Sequence, residues 1–177
     1  MRLAGPKVAG GATLRSGRYE ATLRADTVRL SRLLPAGLDI DALTFAGALE
    51  ARGTLDALPE RIILRNVALK GVQEQTGPFS LYGSATYTPT TLETALTGSL
   101  RGGVLRADGA LPAGVRVTVR DLPTAYVGAA SLGKGALTAD LTLRGAAADP
   151  SVAGTVNATT DSLDALFTVA GRVRDPV

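Results

Sequence analysis

Two carboxylate pairs are the first residues in this 177-residue chain whose spacing is compatible with acid–base chemistry. Asp39 and Asp41 flank Ile40, and Asp161 and Asp164 lie close together. Such a pair works when one carboxyl is held protonated and the other ionised. Both pairs sit beside turn signals, where carboxylates are solvated or cap the backbone, and we read them that way. Gly102-Gly103 and Gly133-Lys134-Gly135 are too short for a phosphate-cradling loop. Neither is followed by a helix signal or by Ser/Thr at the required spacing. Gly128 to Gly133 reads as a flexible turn, and the acidic residues do not fall at calcium-loop spacing. The chain has no Cys and no His, which removes thiol nucleophiles, disulfides, His-based triads and His/Cys metal sites. The expectation is a protein that is not an enzyme and that holds no metal and no cofactor.

The elements behind these residues point elsewhere. Apolar residues make up 45% of the chain, yet aromatics are only 4% and Trp is absent. Ala, Leu, Val, Gly and Thr suit a thin pleated sheet better than a deep interlocking core. The net charge of +3 comes mostly from Arg, placed singly. Nucleic-acid binding needs clustered cations and stacking aromatics, so it is not expected. The first residues lack the apolar run of a signal peptide, and no stretch approaches the ~20 apolar residues of a membrane-spanning helix. The chain starts and stops in mid-pattern and reads as one segment, 1–177, of a longer protein.

The main signal is period-two alternation, which predicts half-buried strands. Leu137, Ala139, Leu141 and Leu143 alternate with Thr138, Asp140, Thr142 and Arg144. The same pattern runs over 18–25, 43–52, 79–88, 115–120 and 163–173. Turn signals separate the runs: Arg15-Ser16-Gly17, Leu34-Pro35-Ala36-Gly37, Gln75-Thr76-Gly77-Pro78, Thr88-Pro89-Thr90-Thr91, Arg101-Gly102-Gly103 and Leu111-Pro112-Ala113-Gly114. Strands joined by short turns imply hairpins and an antiparallel sheet. About a dozen strands are expected. Leu55 to Leu58 and Thr124 to Ala130 carry weak helix signals.

Glycines also lie inside strand patterns, at Gly10, Gly47, Gly83, Gly98, Gly109 and Gly154. A glycine there marks a bend or bulge, and one in many strands implies a sheet curved along its length. The competing reading is small-residue packing in a β-sandwich. A hairpin repeat runs over 145–176: Gly145 to Pro150 and Gly171 to Pro176 share the form G-x-x-x-D-P, and Pro6-Lys7-Val8-Ala9-Gly10 echoes Pro150-Ser151-Val152-Ala153-Gly154. Hairpins stacked side by side give an extendable array.

The stretch from Gly135 to Gly145, followed by Asp149-Pro150-Ser151-Val152-Ala153-Gly154-Thr155-Val156, resembles the repeats of the translocation and assembly module family (TamB) and its AsmA-like relatives. Thr27 to Pro35 is similar to a strand-to-turn segment of that family. The resemblance covers the whole chain in style and is sharp over 135–177. It implies an all-β fold: an elongated, curved antiparallel sheet of stacked hairpins forming a U-shaped hydrophobic groove, the β-taco. It also implies a parent anchored in the inner membrane, a periplasmic location in the bacterial cell envelope, and carriage of phospholipid between inner and outer membrane. A BamA-like outer-membrane barrel partner is implied through other parts of the parent. The Arg, Ala and Gly bias fits a GC-rich bacterium.

A trough lined by aliphatic side chains lets an acyl chain leave water, with a gain of about 0.8 kcal/mol per buried methylene. The expected lining is Leu23, Leu81, Val115, Val117, Val119, Leu137, Leu141, Leu143 and Val169. The plainer alternative places them in a closed, dry core between two sheets. Two other functions remain open: a scaffold or chaperone for outer-membrane β-barrel assembly, and a structural β-solenoid or adhesin stalk. Hairpin turns and unequal strand lengths place the solenoid last. Unpaired strands at the ends of such an array predict edge-to-edge self-association.

Overall fold

The computed structural model describes residues 2–5, 7–29, 42–73, 77–124 and 134–173. These form twelve strands: β1 (Arg2–Gly5), β2 (Val8–Arg15), β3 (Arg18–Arg29), β4 (Thr44–Thr54), β5 (Arg61–Gln73), β6 (Gly77–Tyr87), β7 (Leu92–Leu100), β8 (Gly103–Leu111), β9 (Gly114–Pro123), β10 (Gly135–Arg144), β11 (Ser151–Thr160) and β12 (Asp164–Arg172). They make one sheet in strict chain order, β1 to β12, and every neighbouring pair is antiparallel.

Local chemistry sets the turns. Ser16-Gly17 joins β2 to β3, and Arg101-Gly102 joins β7 to β8. All four residues have positive φ, between 48° and 92°. Two left-handed residues in succession are the turn whose twist matches that of the flanking strands. At Thr88–Thr91 the Thr88 amide donates to the Thr91 carbonyl at 2.8 Å, and the Thr88 and Thr91 hydroxyls meet at 2.7 Å.

The sheet is a single layer. Substantial contacts run only between strands adjacent in the order, apart from a small approach of β7 to β9. The chain exposes 11396 Å². A compact globule of its 18.0 kDa would expose roughly 8,000 Å². The alternative of two clasped sheets is therefore wrong, because among the described residues no second sheet faces the first. Parallel solenoid coils are excluded by the antiparallel registers.

One face is nonetheless sheltered. Ala25, Phe45, Val67, Leu111, Val115 and Ala158 all lie on that face and are buried, Val115 to 2% exposure. Along β3 the exposure alternates, with Tyr19, Ala21, Leu23 and Ala25 sheltered and Arg18, Glu20, Thr22 and Arg24 exposed. With no covering layer, such shelter comes from curvature: side chains on the concave face converge and shade one another.

The bending devices are visible strand by strand. Register breaks occur in β3 between Ala25 and Val28, in β5 between Leu64 and Val67, and in β9 between Val119 and Leu122. The β5 and β9 breaks hold Asn66 and Asp121 at φ 48° and 54°. In the strands between, Gly47, Gly83, Gly109 and Gly154 take positive φ. Gly83 shows why only glycine serves. At φ 125° an added Cβ would land on the Ala95 carbonyl oxygen of β7. Gly10 and Gly98, also expected to bend their strands, show no positive φ. Bulges and glycines sit in or beside one line of paired residues, so the sheet creases along its length.

Leu55 to Leu58 is not helical. It forms the hairpin loop between β4 and β5, with the Leu55 amide bonded to the Gly17 carbonyl at 2.9 Å. Two long strands pair on either side, and so short a segment cannot nucleate a helix against them. Of the second weak helix signal only Thr124 is described; residues 125–130 lie outside the described residues, as do Asp39, Asp41, the 34–37 turn, most of the 27–35 segment, Gln75-Thr76, Gly128 to Gly133, and Asp175-Pro176.

Candidate functional site

The registers place every residue expected to line a groove on one face of the sheet. A single ladder of directly paired residues crosses eleven strands: Gly10, Leu23, Leu49, Leu64, Ala85, Thr94, Gly109, Val115, Leu143, Val152 and Gly171. At about 4.8 Å between strands this line is roughly 48 Å long. Beside it Val117 pairs with Leu141, which pairs with Gly154, which pairs with Val169. A third line carries Leu81, Gly98, Leu105, Val119, Ala139, Val156 and Phe167. Leu137 extends the face opposite Leu122 and Ala158. Val115 is buried, and the other expected lining residues are half-buried.

This face is free of charge. Outside the three bulges, no residue on it from β2 to β12 is ionisable as Asp, Glu, Lys or Arg. Its polar groups among the described side chains are Tyr19, Tyr87, Thr94 and, at one margin, Thr160. Thr94 is buried at 8% exposure, and its hydroxyl has no hydrogen-bond partner. Phe45, Val67 and Ala25 form a buried cluster on this face, with Val28, Leu49 and Leu69 packed against it. Leu64, Val67 and Leu69 lie on this face although the alternation alone did not single them out, and Phe45, which lies in the alternating run 43–52, joins them beyond the expected lining. The β5 bulge shifts the apolar phase from Ile62 and Leu64 to Val67 and Leu69, which hides that strand from a period-two search.

The opposite face carries the ions. Arg116 is bidentate to Asp140, through Nε to Oδ1 at 2.9 Å and Nη2 to Oδ2. Arg65 and Glu50 approach to 3.6 Å, and Arg106 and Asp108 to 3.8 Å. These pairs are solvent-exposed and contribute little stability each. Broad depressions lie over small residues here. One of 860 Å³ spans Ala9, Gly11, Thr22 and Ala48 between Arg24, Glu50 and Arg65; another of 490 Å³ is framed by Arg106, Asp108, Arg116, Thr118 and Arg120. Ile63 is an exception on this face, buried between Glu50 and Thr86.

Among the described residues, no group of Asp and Glu is arranged to hold a metal ion. Asp161 and Asp164 flank the turn from β11 to β12, where Asp164 Oδ1 accepts from the Thr159 hydroxyl at 3.3 Å. No helix among the described residues is long and apolar enough to cross a membrane. Comparison with family models, curated proteins and solved structures finds no match to this chain.

Proposed function

We propose that this chain is a segment of a lipid conduit, whose charge-free concave face shelters phospholipid acyl chains from water. The observation that carries the proposal is the segregation of charge outside the three bulges. Eleven strands contribute to one face free of charge outside the bulges, and among the described residues no second layer covers it. Soluble chains rarely leave so large a continuous apolar surface open without a guest.

The physical gain is additive and undirected. Each methylene taken from water contributes about 0.8 kcal/mol, and hydrophobic contact imposes no fixed pose. A guest can therefore shift from one strand to the next between similar sites. The repeat resemblance to TamB and AsmA-like proteins supports the same reading. On this reading the parent is periplasmic and anchored in the inner membrane, lipid moves toward the outer membrane, and a BamA-like partner binds elsewhere on the parent.

The test is site-specific photocrosslinking in a diderm bacterium from Leu141, on the apolar face, and from Thr142, on the opposite face. Capture of phospholipid from Leu141 and not from Thr142 is the expected result. Equal capture from both faces, or capture of nascent barrel protein alone from Leu141, overturns the conduit; the second outcome identifies a chaperone for outer-membrane proteins instead.

A further inference from the structure

We propose that the polar face carries a binding site for a phosphate ester, built around Lys70 at the margin where β5 meets β6 and β7 meets β8. Arg29, Thr44, Lys70, Ser80 and Ser99 pair in turn across β3 to β7 on this face. The row holds two cations, three hydroxyls and no carboxylate. Elsewhere on the face cations stand beside acids: Arg65 by Glu50, Arg106 by Asp108 and Arg116 by Asp140. The Lys70 amine instead lies 5.6 Å over the centre of the Tyr82 ring. A ring face steadies an ammonium without neutralising it.

A crevice of 420 Å³ opens beside Lys70. Its polar walls are Thr44, Lys70, Ser80, Ser99 and Arg101, and among the described residues no Asp or Glu lines it. The sheet itself, with the Phe79 ring packed over Gly71 on the apolar side, separates this crevice from the groove.

Local chemistry sets the donors. The Ser80 and Ser99 hydroxyls meet at 2.7 Å. Two hydroxyls share one hydrogen bond, which leaves one O–H to donate to a guest. The Thr44 hydroxyl donates to the Lys70 carbonyl at 3.3 Å and holds β4 against β5 at this point. Arg101 stands in its left-handed turn, where its amide donates to the Pro78 carbonyl at 3.1 Å. Its side chain lies against Gly77, where an added Cβ would stand 3.1 Å from Nε. An ammonium, a guanidinium and a hydroxyl together suit the several oxygens of a phosphoryl group. The crevice is larger than that group alone. Val72, at 41% exposure, and the exposed Pro78 line its outer side and offer contact to the carbon skeleton of an ester. A glycerol phosphate has this chemistry, whether free or as the headgroup of a lipid.

Calorimetric and 1H–15N NMR titration of the whole chain at low ionic strength tests this. The probes are glycerol 3-phosphate, inorganic phosphate and dihexanoyl phosphatidylglycerol below its micelle concentration. Glycerol 3-phosphate is expected to bind with a dissociation constant of about 1 mM and to shift the amides of Lys70, Ser80 and Ser99. Lys70→Gln weakens binding about tenfold, and Ser80→Ala with Ser99→Ala about threefold. Arg65→Gln, which removes a cation already beside Glu50 on the same face, leaves it within about twofold. Leu141→Arg, on the other face, leaves it unchanged, so this site stands or falls apart from the acyl-chain groove. Binding of the short lipid that Lys70→Gln weakens in the Leu141→Arg background supports the site and makes a lipid headgroup its guest. Binding of glycerol 3-phosphate without the lipid supports it with a soluble ester as guest. Three results overturn the proposal: no binding of either ester, inorganic phosphate bound as tightly as the esters, or binding indifferent to Lys70→Gln.

Discussion

Arg116 of β9 and Asp140 of β10 are clasped by two hydrogen bonds on the polar face, while the next residues along, Val117 and Leu141, stand opposite each other on the apolar one. One step along two strands separates a salt bridge from a hydrocarbon surface. The pleat does this sorting, since successive side chains point to opposite faces. The hydrogen bonds from Arg116 hold the Asp140 carboxyl below the usual carboxylate range, with Arg120 adding to the effect against some desolvation. The same bond raises the Arg116 guanidinium. A carboxylate with a depressed folded pKa contributes stability that is fully present above its unfolded pKa and is lost as pH falls through the folded one. Chemical denaturation from pH 7 down to below pH 4 should therefore show a loss of stability on acidification that is smaller in Asp140→Asn than in the parent.

Charge on the apolar face should abolish guest binding without unfolding the sheet. Leu141→Arg is half-buried on that face, so its guanidinium can reach water while it disrupts the oily surface. Binding of a fluorescent fatty acid is expected to fall at least tenfold. Thr142→Arg, one residue away and facing outward, should leave binding unchanged.

The crease depends on glycine where the neighbouring strand leaves no space. Gly83→Ala puts a methyl group onto the Ala95 carbonyl at a φ that alanine rarely adopts, with an expected loss of about 2–3 kcal/mol in urea unfolding. Gly171→Ala, with nothing within 4 Å of its added Cβ, should change stability by less than about 0.5 kcal/mol.

Shelter and exposure on the two faces should separate two truncations of the same size. Val115→Ala removes two methyls from a side chain at 2% exposure and should cost about 2 kcal/mol. Val104→Ala, at 45% exposure on the polar face, should cost less than about 0.5 kcal/mol.

The buried hydroxyl of Thr94 offers the opposite sign. It sits between Ala85 and Gly109 without a hydrogen-bond partner. Thr94→Val replaces an unpaired polar atom with a methyl group of similar size. Thermal and urea unfolding should show a gain of about 1 kcal/mol.

Much of this arrangement is legible before any coordinates. The run Leu137-Thr138-Ala139-Asp140-Leu141-Thr142-Leu143-Arg144 states its own two faces, and the in-strand glycines 47, 83, 109 and 154 announce the bends. Bulges are what escaped. Asp26 and Thr27 in β3, Asn66 in β5 and Asp121 in β9 each insert a residue that reverses the apolar phase, so alternation appears to stop where the strand continues. For β5 the loss was complete: Ile62 and Ile63 are adjacent and apolar, and the bulge follows three residues later. Leu55 to Leu58 misled for the converse reason, since two leucines at helical spacing belong to a hairpin loop whose conformation is set by the strands on either side. Between the two G-x-x-x-D-P copies lie β11 and β12; the second copy's Asp175-Pro176 is outside the described residues.

A molecule in which each strand touches only the strands before and after it behaves as a row of links and not as a sphere. Its stability is a sum of neighbour-to-neighbour terms, so the end hairpins loosen first and the middle holds longest. Evolution can lengthen or shorten such a row two strands at a time without redesigning anything in between.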